Sequence, residues 1–132
     1  METKNGIRIL TNKSKAPVIR SSVVKRVPLT ASVNLDIVKS NHFVNRDAER
    51  GINGLHIAIE KALLASAEIV KAWQASGKER LEGVIKAANN MNIVFSIYNN
   101  QINKSSVDFV LQTIITKANF TKKNADDFEV IV

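Results

Sequence analysis

The sequence predicts an α+β fold. Extended, basic N-terminal segments and an edge-type β-strand lead into a bundle of about three helices, and a short C-terminal strand closes the chain. Three patterns carry this expectation. Residues 27–37 alternate strictly: Val27, Leu29, Ala31, Val33, Leu35 and Ile37 are apolar, and Pro28, Thr30, Ser32, Asn34 and Asp36 separate them. From Ile52 to Trp73 the apolar residues recur at steps of three and four. The last five residues, Phe-Glu-Val-Ile-Val, alternate again. Period two marks a strand with one buried face, and a period near 3.6 marks an amphipathic helix.

At the N-terminus, residues 6–10 (Gly-Ile-Arg-Ile-Leu) read as a short strand, and the polar run before Pro17 reads as a loop. The alternating stretch 27–37 reads as one strand. Pro28 has no N–H to donate, which places that strand at a sheet edge or starts it at Leu29. Asp36 would stand on its exposed, neutral-to-acidic face. Residues 40–53 are polar, contain Gly51, and read as a loop. A helix is expected over 54–75, about 32 Å long. It is slim, because Ala58, Ala62, Ala65, Ala67 and Ala72 would let a partner helix approach closely. Trp73 at its end reads as a core anchor.

Ser76 and Glu79 have the S-x-x-E spacing of a capping box, so a second helix is expected from Gly77 with Leu81, Val84, Ile85 and Ala88 inside. Residues 91–98 admit two readings. As a helix, Met91, Phe95 and Tyr98 continue the phase begun at Leu81. As a strand, Met91, Ile93, Phe95 and Ile97 share a face between the turn signals Asn89-Asn90 and Asn99-Asn100. The unbroken 3.6 phase selects the helix. A last helix is expected from Ser105 or Ser106 to about Ala118, with Asp108 in its first turn facing the helix dipole. Residues 1–26 then form a basic arm or extended segment. Residues 27–132 form a single, mainly helical domain.

The chain has 132 residues, a net charge of +7 and no cysteine. Disulfides, thiol nucleophiles and Cys-based metal sites are therefore excluded. Residues 1–26 hold seven basic groups, Lys4, Arg8, Lys13, Lys15, Arg20, Lys25 and Arg26, against the single acid Glu2. The remaining residues hold 12 basic and 11 acidic groups, a surplus of one. Almost the whole surplus thus lies in the first fifth of the chain, the layout of a phosphate-binding arm ahead of a neutral body. The arm has no aromatic residue on which bases could stack, so contact with the phosphate backbone and little sequence readout are expected. Lys117, Lys122 and Lys123 could add a second patch. The start of the chain has no apolar core of a secretory signal, and no stretch approaches the length that spans a bilayer. A cytoplasmic protein is expected.

Catalytic patterns are sparse. His56 and Glu60 stand at i, i+4, but two ligands are too few for a metal, so a surface pair is the expectation. His42 has no evident partner. No G-x-S-x-G elbow occurs, and the carboxylates do not cluster in sequence as two-metal chemistry requires. The G-x-x-G at 51–54 carries Ile52 and Asn53 where a nucleic-acid clamp would carry a base, and it reads as a turn and helix start. No enzyme and no cofactor are expected. The expected function is a small nucleic-acid-binding protein, of the kind that packages, coats or accompanies the genomes of viruses and mobile elements. The alternative is a module for protein interaction or self-assembly through exposed edge strands and helices. Expected partners are nucleic acid and further copies of the chain, with no membrane.

Overall fold

The computed structural model describes residues 23–50, 54–121 and 127–132. Its elements in chain order are β1 (Val23–Pro28), β2 (Asn34–Lys39), α1 (Asn41–Arg50), α2 (Gly54–Ser76), β3 (Arg80–Ala87), β4 (Met91–Asn99), β5 (Ser106–Thr116) and β6 (Phe128–Ile131). The six strands form one mixed sheet in the order β1-β2-β5-β4-β3-β6. β2 runs parallel to β5, and β6 parallel to β3. The other three pairings are antiparallel. The expected three-helix bundle is not formed. Two of its helices are strands, and the helices that do exist pack on one face of a sheet.

The alternation over 27–37 belongs to a hairpin rather than one strand. Val27 pairs with Leu35 and Arg26 with Asp36, so both arms turn their odd-numbered side chains towards the helices. The period survives the turn and conceals it. Thr30 closes that turn: its Oγ1 accepts from the N–H groups of Ser32 and Val33, and its own N–H donates to the Val33 carbonyl. Residues 41–50, expected as loop, form α1. Ser40 caps it, with Oγ accepting from the Phe43 N–H at 3.0 Å and donating to the Gln112 carbonyl at 2.8 Å. Phe43 is fully buried and pins this polar helix to the core.

The expected helix over 54–75 is observed as α2. Its buried stripe is Ala58, Ala62, Ala65, Ile69, Val70 and Trp73. The small residues let it approach a sheet, against β3, β4 and β6, where a partner helix had been expected. Trp73 is buried as anticipated, and its Nε1 donates to the Glu79 carbonyl at 3.2 Å. Ser76 does not cap a second helix. Its Oγ donates to the Trp73 carbonyl and accepts from the Lys78 N–H, which ends α2, and Gly77 follows with φ +69°.

β3 and β4 replace the expected second helix, which ran from Gly77 and continued through 91–98, and β5 replaces the one expected over 105–118. Asn89 and Asn90 have φ of 62° and 60°, as the tight turn between β3 and β4 requires. The sheet face under the helices carries Leu35, Ile37, Leu81, Ile85, Ile93, Phe95, Ile97, Val107, Phe109, Leu111 and Ile114. Phe95 and Phe109 meet edge to face, 5.4 Å apart. The opposite face also holds buried residues: Val38, Val84 and Val110 beside Asp36, Ser96, Ser106 and Asp108. Burial on both faces fills these strands with apolar residues, and such runs show no clean period of two. The closing alternation is observed as β6, an outer strand of the described sheet beside β3.

Candidate nucleic-acid interface

Of the seven basic residues expected to meet phosphate, Lys4, Arg8, Lys13, Lys15 and Arg20 lie outside the described residues. Lys25 and Arg26 stand on β1. Lys25 is exposed. Arg26 is committed within the protein: its Nε lies 2.7 Å from Asp36 Oδ1 and its Nη2 3.2 Å from Oδ2, a two-pronged ion pair across the β1–β2 hairpin. The hydrogen bond and then the charge of Asp36 raise the pKa of Arg26 above its ordinary value. The Arg26 side chain is 56% exposed, and that of Asp36 only 1%. Asp36 is therefore not on a solvated acidic face, as its place in the alternation suggested. It lies in the interior of the second sheet face.

A polar network spreads from Asp36 across that face. Parallel pairing of β2 with β5 sets Asp36 directly beside Asp108. The Ser106 hydroxyl lies 3.0 Å from Asp36 Oδ2 and 3.1 Å from Asp108 Oδ1, and its single proton serves one of them at a time. Asn100 Nδ2 donates to Asp108 Oδ2 at 2.9 Å. Asp108 is thus a strand residue held by side chains, and the helix dipole expected to face it does not exist. Further along, Arg80 donates to Glu82 at 2.6 Å and to Ser96 Oγ at 3.0 Å, and its guanidinium lies 5.0 Å from the Tyr98 ring centre. Gln112 Nε2 also donates to Ser96 Oγ. A bulge in β5 frees Gln112 from a cross-strand partner and turns it to this use. Lys86 donates to the Phe120 carbonyl and lies 3.6 Å from Glu129.

Each cation on this part of the sheet therefore has a carboxylate: Arg26 has Asp36, Arg80 has Glu82, and Lys86 has Glu129. The sheet face is charge-compensated and offers phosphate little. Lys117 follows β5, and Lys122 and Lys123, the rest of the second basic patch, lie outside the described residues. Register was the missing signal for the Asp36–Asp108 pair, since the two residues are 72 positions apart.

His56 Nε2 and Glu60 Oε2 are 3.0 Å apart on the outer side of α2, both exposed, which is the surface pair expected. His42 is exposed on α1 rather than in a loop. Among the described residues no group of three or more His, Asp and Glu is placed to hold a metal ion, and no helix is long and apolar enough to cross a membrane. No protein family, characterised protein or solved structure compared with the chain matches it.

Proposed function

We propose that this protein binds nucleic acid through the phosphate backbone, with little sequence preference and no catalytic step, and that it works in the cytoplasm. The observation that carries the reading is the charge distribution: seven basic groups and one acid in residues 1–26, and a surplus of one in the rest. Pairing within the sheet supports it, because the cations of the sheet face are matched by carboxylates while Lys25 is exposed. Arg26 already has a carboxylate partner, so the phosphate contacts fall to Lys4, Arg8, Lys13, Lys15, Arg20 and Lys25. Packaging, coat and accessory proteins of viruses and mobile elements share this layout, and that comparison is one of analogy.

Six such contacts set the salt dependence. The logarithm of affinity should fall with the logarithm of salt at a slope of about −5 on duplex DNA and about −4 on a single strand. Titration of the full chain with a labelled duplex across salt concentrations measures it. Replacing Lys4, Arg8, Lys13, Lys15 and Arg20 together by Gln should remove most of the slope, and Arg26→Gln should change it little. Absence of binding at low salt, or a flat response, removes the reading.

Self-assembly is the second reading, and Ile131 favours it. This residue is 78% exposed on β6, an outer strand of the described sheet with backbone groups suited to strand addition. Solution mass as a function of concentration separates the two. A mass above the monomer that drops with Ile131→Lys, without nucleic-acid binding, favours assembly. Of residues 27–37, only the β1 arm belongs to an outer strand of the described sheet, since β2 lies inside it.

A further inference from the structure

The outer side of α2 carries a second stripe, opposite the one it buries on the sheet. Ile57, Glu60, Leu64, Ala67, Lys71 and Gln74 recur there at alternating steps of three and four, and all six are exposed. That is the spacing of a helix–helix seam. Ile57 is 37% exposed and Leu64, near the centre of the stripe, 69%. An exposed Leu is ordinary by itself. The charges around this one specify a partner.

Glu60 and Lys71 stand at equal steps on either side of the bond between Ala65 and Ser66. So do Leu64 and Ala67, and Ile57 and Gln74. Two copies of α2 laid antiparallel about a two-fold axis at that point set Leu64 beside the partner's Ala67 and Glu60 beside the partner's Lys71, each contact made twice. Lys61 and Glu68 flank one edge of the stripe, and the same arrangement brings Lys61 to the partner's Glu68. Among the described residues, Lys61, Glu68 and Lys71 form no ion pair. Glu60 meets His56 through Oε2, which leaves Oε1 for a lysine. Parallel pairing would instead set Glu60 against Glu60 and Lys71 against Lys71, so like charges reject it.

We propose that this protein pairs with a second copy of itself through the outer face of α2, antiparallel, with Leu64 against Ala67 at the centre and Glu60–Lys71 and Lys61–Glu68 pairs around it. The apolar centre supplies the attraction, and the charges fix direction and register. The surface is separate from β6, and the pairing does not rest on phosphate binding. One helix against one helix is a small contact area, so monomer and dimer should exchange with concentration.

Sedimentation velocity of the full chain, freed of nucleic acid, tests this in about 0.15 M salt, where the net charge of +7 is screened beyond roughly 8 Å. The mass should rise from one copy towards two between about 1 μM and 1 mM protein. Leu64→Lys alters an exposed side chain, so it should keep the Tm and raise the dissociation constant at least about tenfold. Glu60→Lys and Lys71→Glu each bring like charges together and should weaken pairing, while a mixture of these two variant chains should form the dimer that neither forms alone. Ile131→Lys should leave the dimer intact. A chain that stays monomeric throughout overturns the proposal. So does a dimer that survives Leu64→Lys, a dimer lost with Ile131→Lys, or a mixture of the two charge variants that stays monomeric.

Discussion

Gly83 sits between Phe95 on β4 and Phe128 on β6. A Cβ built there would lie 2.2 Å from the Phe128 carbonyl oxygen and 2.7 Å from the Phe95 ring. The backbone oxygen cannot rotate away, so β6 would have to move. Gly83→Ala should cost about 1–3 kcal/mol, measured by urea denaturation, and β6 amides should lose protection first. Gly77 is a different case. Nothing obstructs a Cβ there, but its φ of +69° is one that L side chains rarely adopt. Gly77→Ala should cost about 1 kcal/mol through backbone strain alone. Trp73 shows a third mechanism. Trp73→Phe keeps most of the buried ring and loses the hydrogen bond to the Glu79 carbonyl, an expected loss of about 1 kcal/mol. Trp73 was legible as a core anchor, whereas Gly77 was read as the start of a second helix and instead follows the end of α2. Asp36 and Asp108 were not legible as a pair, because nothing local to either residue announces a neighbour 72 positions away.

The elements divide by where their hydrogen bonds go. α2 satisfies its own backbone between residues four apart, so its period is written in adjacent sequence and its bounds were readable to within a residue. Its alanines set how closely it lies on the sheet. Ala62 is fully buried, and Ala62→Leu should overpack that contact by about 1–3 kcal/mol, with a lowered Tm as the readout. β4 and β5 take their hydrogen bonds from strands elsewhere in the chain. Met91, Ile93, Phe95 and Ile97 do alternate towards the helices, but Val94 and the buried Ser96 on the opposite side blur the contrast between the two faces. A helical phase over 81–98 then survives by coincidence. The better signals were the density of β-branched residues and the paired asparagines. Asn89 and Asn90 hold positive φ, so Asn90→Gly should be neutral or stabilising, and Asn90→Val should destabilise and loosen the β3–β4 hairpin.

At the scale of the molecule, a six-stranded sheet with helices on one side concentrates stability at its centre. β5 and β4 lie inside the sheet with partners on both sides, whereas β1 and β6 are the outer strands of the described sheet. Amide exchange should be slowest in β4 and β5 and fastest in β6, and the reverse order would contradict this topology. The sequence by itself determined the long helix over 54–76, the closing strand and the concentration of positive charge in residues 1–26. All of these are properties of neighbouring residues or of composition. Tertiary structure alone decided that residues 80–116 are three strands, that the alternation at 27–37 folds back on itself, and that Asp36 and Asp108 lie side by side in the interior. A strand's state and a carboxylate's surroundings depend on partners that only the folded chain brings together.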